Sequence, residues 1–208
     1  VLRVGIVTGA GGHFCSGMDL KAFVAGERPE IEGRGFAGLT ETTPAKPLIA
    51  AVEGYALAGG CELALACDLI VAGEDAVFGL PEAARGLVAG SGGLIRLRER
   101  IPPAIALEYA ITARRMDAAT AARWGLVNRL APSGGALDAA LALADEIAAN
   151  APLSVAASKA IVAVAPDWPS ADRWERQRPL VEAVLTSADA QEGARAFAEK
   201  RPARWSGR

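Results

Sequence analysis

The stretch Leu48–Ala72, LIAAVEGYALAGGCELALACDLIVA, decides the fold. Leu48–Glu53 reads as a buried strand, Gly54–Gly60 as a connection, Cys61–Cys67 as a helix and Asp68–Ala72 as a further strand. A buried strand, a helix and another buried strand in succession predict an α/β core. Within this apolar run stand three acids, Glu53, Glu62 and Asp68. An acid in such a setting is costly unless it is paired, neutral or used. Glu62 falls in the first turn after Gly59-Gly60, where the helix dipole and free backbone N–H groups act on it or on a ligand. Glu53 and Asp68 read as structural, the latter at a helix-to-strand junction.

Upstream, Leu2–Thr8 (LRVGIVT) reads as a buried strand with no lead-in, so an N-terminal segment is expected to be missing before it. Thr8–Gly17 is a glycine-rich loop, either a flexible turn or a backbone that approaches a ligand closely. It is not a dinucleotide fingerprint: Gly9 and Gly11 call for a third glycine at position 14, which is Phe14. Asp19–Gly26 reads as a short helix, and Glu27–Gly38 as a mobile loop able to act as a lid.

Downstream, Ala76–Gly79 is a short strand, followed by Pro81-Glu82. Ser91 is a candidate cap for a helix over Leu94–Arg100, and Pro103–Ala113 repeats helical spacing. Asp117 caps Ala118–Trp124, which Gly125 ends, and Leu126–Leu130 is a last strand. From Gly135 the chain is helical: Ala136–Ala149, a helix opened by Pro152, Ala171–Leu185, and Ala188–Lys200 capped by Ser187. The expected organisation is a core over residues 1–134 and a helical region over 135–208.

At 208 residues, 51% hydrophobic and 22% charged, the chain suits one sizeable core. Its net charge of −2 argues against a nucleic-acid surface. The three cysteines, Cys15, Cys61 and Cys67, are odd in number and two lie in the apolar stretch, so buried free thiols and a reducing, cytoplasmic setting are expected. No secretory signal is visible, and the acids and glycines of Leu48–Ala72 argue against a membrane span.

Elimination narrows the chemistry. The single histidine, His13, shares one short loop with Ser16 and Asp19, which cannot easily converge as a catalytic triad. The cysteines and histidine lack metal-ligand spacing. Two carboxylates remain in apolar, glycine-rich settings, Glu62 after GGC and Glu82 after FGLP. They read either as a helix N-terminal acid and a turn acid, or as a pair dividing acid and base roles beside backbone amide donors.

Four segments together resemble the crotonase superfamily, the enoyl-CoA hydratase/isomerase family: FCSGMDL at Phe14–Leu20, EGYALAGGCELALACDL at Glu53–Leu69, FGLPEAARGLVAGSGG at Phe78–Gly93, and FAEKRPARWSGR at Phe197–Arg208. The Pro-Glu segment looks like the hydratase branch. The resemblance implies a spiral of ββα units with a C-terminal helical region, assembled as a homotrimer or a hexamer made of two trimers. It implies an acyl-CoA thioester as substrate, and no metal or other cofactor. Carried over by motif position, Glu62 and Glu82 are the catalytic carboxylates, Glu62 acting on water and Glu82 on the α-carbon. The backbone N–H groups of Met18 and Gly59 form the oxyanion hole, and Gly90 positions the water. Ser16, Gly17, Asp19 and Leu20 line the CoA path, with Lys200 meeting CoA phosphates. The implied reaction is addition of water to a trans-2-enoyl-CoA. The alternatives are an isomerase or another hydroxyacyl-CoA dehydratase of the same family, and a non-catalytic CoA-binding or scaffold protein.

Overall fold

The structure is a computed structural model and describes residues 2–208. In chain order its elements are β1 (Gly5–Thr8), α1 (Leu20–Val24), β2 (Glu30–Ile31), β3 (Gly35–Phe36), β4 (Leu48–Val52), β5 (Tyr55–Leu57), α2 (Gly59–Ala66), β6 (Leu69–Gly73) and β7 (Val77–Gly79). A 3₁₀ turn (Pro81–Arg85), α3 (Gly93–Arg100), α4 (Pro103–Thr112), β8 (Met116–Asp117), α5 (Ala118–Arg123) and β9 (Arg129–Ala131) follow. The rest is helical: α6 (Ala136–Ala148), α7 (Pro152–Val164), a 3₁₀ turn (Ala165–Asp167), α8 (Arg173–Leu185) and α9 (Ala188–Glu199).

The described residues fall into two compact units. The first, Ile6–Pro44 with Leu48–Leu143, is the mixed α/β core. Its largest sheet has the order β1-β4-β6-β9, with β4 parallel to β6 and β6 parallel to β9. A second sheet has the order β5-β7-β8, with β5 parallel to β7. The successive pairs β4-β5 and β6-β7 therefore stack in register, first strand on first strand and second on second. This is the spiral ββα arrangement. Strands β4 (LIAAV) and β6 (LIVAG) are buried along nearly their whole length, which explains continuous apolar runs instead of alternation. Helix α2 is apolar on almost every face because it lies inside the core, where Leu65, Ala64 and Cys61 join Phe78, Ile70 and Val52.

Most of these elements lie where the sequence pattern predicts them, and several do not. Strand β1 begins at Gly5, not Leu2. The segment expected as a loop between Glu27 and Gly38 contains an antiparallel hairpin, Glu30 facing Phe36 and Ile31 facing Gly35. The connection expected over Gly54–Gly60 contains β5, and β8 was not foreseen; each is too short to show a period of its own. Ser91 does not cap α3. Gly92, at φ +92°, takes the cap position without a side-chain hydrogen bond. Asp117 and Ser187 do cap α5 and α9, accepting from Thr120 N and Ala190 N. Asp68 accepts from Leu48 N at 2.7 Å and so ties the start of β4 to the start of β6.

The second unit comprises residues 2–5, Ala45–Pro47 and Ala144–Arg208. The boundary expected at residue 134 instead falls within α6, after Leu143. The reason is Glu53, whose carboxylate accepts from Gly134 N (3.1 Å) and Ala136 N (2.7 Å) and so fastens the first turn of α6 to the core. In the second unit the buried Asp189 holds the C-terminal tail through Ser206 N, Ser206 Oγ and Gly207 N, while Trp205 Nε1 donates to Ala149 O. Among the described residues no single helix is long and apolar enough to cross a membrane.

Candidate active site

The site begins with a backbone alignment. Residues 14–15 run beside β5: Phe14 N donates to Glu53 O, Cys15 N to Tyr55 O, and Leu57 N to Cys15 O. Cys15 bridges Ala56 in parallel fashion, which brings Gly17 against the start of α2. The approach tolerates no side chain. A Cβ on Gly17 (φ +90°) would lie 2.9 Å from Gly59 N, and one on Gly60 would lie 2.0 Å from Cys15 O. Ala58 turns the chain into the helix at φ +51°, ψ −129°, an unusual conformation for a residue with a Cβ and a store of about 1–3 kcal/mol of strain. It is held by Ala58 N donating to Gly79 O and by Ala58 O accepting from Glu62 N. Gly59 is then the first residue of α2, whose N–H has no partner within the helix. Met18 and Gly59 line one cavity, and among the described residues neither amide donates to a protein acceptor.

That cavity has a volume of about 440 Å³, within the range of small-molecule sites. Glu62 and Glu82 both line it. Glu62 is almost fully buried in the first turn of α2, and its Oε1 accepts from Ser91 N at 2.8 Å and Gly93 N at 2.9 Å. Oε2 has no protein donor among the described residues, so one oxygen is anchored and the other is left without a protein partner. Glu82 stands in the 3₁₀ turn after β7, and its Oε2 is buried without a hydrogen-bond partner. Burial raises the Glu82 carboxyl above the ordinary range and the neighbouring Glu62 pushes it the same way, while backbone hydrogen bonding and Arg85 oppose the rise. A carboxyl whose proton affinity is raised by burial suits an acid, and one with an oxygen anchored by two amides suits a base. Cys61, next to Glu62, is no competing nucleophile, because burial pushes its thiol up to about 12.

The structure gathers most of the residues singled out from sequence. Ser16, Met18, Leu20, Gly59, Glu62, Glu82 and Gly90 all line the cavity. Gly17 shapes it through the close approach to Gly59. Asp19 does something else: its carboxylate caps α1, accepting from Lys21 N and Ala22 N. Lys200 belongs to the second unit, closes α9 at φ +52° and is not among the cavity-lining residues. His13 stacks on Tyr55 with ring centroids 4.7 Å apart, and its Nδ1 accepts from Tyr55 N. The sequence reading missed Arg28, Arg85 and Arg115, which give the lining fixed positive charge. Arg28 lies 4.5 Å over the Phe23 ring and Arg115 5.5 Å over Tyr55. Arg85 lies within the Phe78–Gly93 segment but no role attaches to it there, and no motif marks Arg28 or Arg115; the three converge only when the chain folds. The reading also missed Phe36, whose ring covers Gly59 from the hairpin.

The family profile described as enoyl-CoA hydratase/isomerase matches residues 1–208. Carnitinyl-CoA dehydratase of Proteus mirabilis (strain HI4320) is 49% identical over 215 residues, covering 100% of this chain and 82% of that protein. The crystal structure of enoyl-CoA hydratase EchA1 from Mycobacterium marinum is 61% identical with a TM-score of 0.97, covering 100% of this chain and 82% of the other. That of carnitinyl-CoA hydratase from Mycobacterium avium is 49% identical with a TM-score of 0.72, covering 98% and 80%.

Proposed function

Because this chain belongs to the enoyl-CoA hydratase/isomerase family, we propose that it adds water across the double bond of a trans-2-enoyl-CoA, and removes it again, using Glu62 and Glu82. Glu62 Oε2 takes a proton from water as the water oxygen bonds to C3 of the enoyl group. The C2–C3 electron pair shifts toward the thioester, and the enolate oxygen that forms accepts hydrogen bonds from the N–H groups of Met18 and Gly59. Glu82 then protonates C2. The product is a 3-hydroxyacyl-CoA, and proton exchange with solvent restores the two carboxyl groups. Dehydration is the reverse, with the acid and base roles exchanged. In this reading Gly90 orients the water, Ser16, Gly17 and Leu20 line the path of the CoA moiety, and the lining arginines suit its phosphates. The reaction needs no metal or redox group.

The observation that carries this reading is the contrast between the two carboxyls of one cavity. Glu62 is anchored by two amides, whereas Glu82 is buried with Oε2 unpartnered and its proton affinity raised. Dehydration of carnitinyl-CoA is the second reading, favoured by the name carried by relatives at 49% identity. The same two-carboxyl chemistry serves it. Assembly as a homotrimer, or as two trimers, is part of the proposal. It is supported by apolar side chains of the second unit that stand in water in a single chain, Phe197 at 89% and Val162 at 75% exposure.

The test is turnover by the full chain of crotonyl-CoA, longer enoyl-CoAs and carnitinyl-CoA, followed by loss or gain of the conjugated enoyl thioester and by product mass. Net gain of water on an enoyl-CoA is the expected result. Water loss from carnitinyl-CoA alone would favour the second reading, and a double-bond shift with no mass change would make the protein an isomerase. Thioester binding without turnover of any of them would leave a binding protein and end the proposal.

A further inference from the structure

We propose that Arg96 is a positioning residue for this reaction: it ties the loop that anchors Glu62 to the segment that covers Gly59. The proposal rests on the roles of Glu62 and Gly59 given above, and on a continuous set of contacts within the first unit. The Arg96 side chain turns back from the first turn of α3, and its Nη1 donates to Ser91 O at 3.4 Å. Its Nη2 donates to Thr40 O at 2.5 Å, although Thr40 lies 56 residues earlier in the chain. The guanidinium packs so closely on Gly92 that a Cβ there would be 2.3 Å from Nη1. The loop it grips is the one whose Ser91 and Gly93 amides hold Glu62 Oε1.

On the other side, Thr40 is 1% exposed, and its hydroxyl accepts from Phe36 N at 2.8 Å while Thr40 N donates to Phe36 O. The Phe36 ring in turn lies over Gly59, 3.0–3.1 Å from where a Cβ would stand. Glu62 and Gly59 are therefore each braced by a loop, and one guanidinium joins the two loops. Two carbonyl acceptors in different segments call for a planar fork of donors, which arginine offers and lysine does not. Misplacement of a reacting group by about 1 Å can cost on the order of 10²-fold in rate, so a brace that reaches both poles acts on turnover more than on binding.

The test uses Arg96→Met, Arg96→Lys and Phe36→Leu in the full chain, with crotonyl-CoA kinetics and amide hydrogen exchange over residues 34–42 and 88–97. Arg96→Met is expected to lower kcat by about 10²-fold with KM changed by less than about threefold. It should speed exchange in both segments and leave β4 and β6 unchanged. Arg96→Lys should recover one of the two contacts and part of kcat. In a double-mutant cycle, Arg96→Met and Phe36→Leu should combine to less than the product of their separate effects, since they break one connected path. Independent, multiplicative effects, a kcat within twofold of the parent, or faster exchange in only one segment would each overturn the proposal. If Arg96→Met does not fold, the Lys variant and its cycle with Phe36→Leu decide the matter. Hydrogen exchange reads the brace without substrate, so a parent protein inactive on every thioester would refute the hydratase reading while still reporting whether Arg96 joins the loops.

Discussion

Gly93 touches Glu62 twice over: its N–H donates to Oε1 at 2.9 Å, and its Cα sits so near that a Cβ would lie 2.7 Å from Glu62 Cγ. The absent side chain is thus part of how the carboxylate is held. Gly93→Ala keeps an ordinary backbone conformation but must displace Glu62 or Leu80, whose Cδ2 would be 3.1 Å away. A fall in kcat of about 10²-fold, with a circular dichroism spectrum like the parent's, is the expected outcome. Parental kinetics would mean that Glu62 is not the base.

Glu62→Gln and Glu82→Gln keep size and remove proton transfer. Each should lose roughly 10²–10⁴-fold in kcat, the usual worth of general acid–base assistance, while remaining folded. Stopped-flow or coupled assays on the best substrate would measure this, and wild-type rates in both variants would remove the two carboxyls from the mechanism.

The buried, unpartnered Glu82 also predicts a pH signature. Its carboxyl binds a proton more tightly in the folded protein than at the ordinary value of 4.5, chiefly because burial disfavours the charge. The folded state then holds more protons than the unfolded chain over the window from 4.5 up to the raised value, so stability falls as pH rises through that window. Below 4.5 the carboxyl is increasingly protonated in both states and the effect vanishes. Thermal melts of Glu82→Gln should lack this decline and run above the parent at neutral pH, converging with it in acid. A Glu82→Gln protein less stable than the parent at pH 7 would contradict the account.

Gly17 and Gly12 separate site geometry from backbone preference, since both have left-handed φ, +90° and +82°. A Cβ on Gly12 meets nothing within 4 Å, whereas one on Gly17 lies 2.9 Å from Gly59 N. Gly12→Ala should cost about 1 kcal/mol of stability and leave turnover alone. Gly17→Ala should cost turnover as well, by about 10²-fold, the usual price of one lost oxyanion donor. Equal kinetics for the two variants would argue that the Gly59 amide plays no part.

Glu53 offers a control away from the chemistry. Its carboxylate stands in for a helix cap at α6 through Gly134 N and Ala136 N. Glu53→Ala should lower stability by about 1–2 kcal/mol, the upper range for a lost cap, with kcat per folded molecule unchanged.

By itself the sequence determined the long apolar strands, most of the helices and the two carboxylates that stand apart from their surroundings. The apolar runs at Leu48–Val52 and Leu69–Gly73 are short, as buried strands are, and Asp117 and Ser187 announce their helices because capping is a short-range matter between a side chain and an amide three residues on. Glu62 and Glu82 stood out because a charge among apolar neighbours demands an explanation. What the sequence left open is everything made by contact between distant segments. The stacking of β4-β5 on β6-β7 leaves only a short echo in the sequence, LIAAVE at Leu48–Glu53 and LIVAGE at Leu69–Glu74, since parallel pairing needs matched backbones and apolar faces more than matched residues. Ser91 reads as a helix cap and instead lends its amide to Glu62; Phe36 reads only as part of a lid-like loop and Arg96 only as a helix residue. Their roles rest on amides, carbonyls and ring faces that every sequence has in plenty, and only the tertiary fold decides which of them meet.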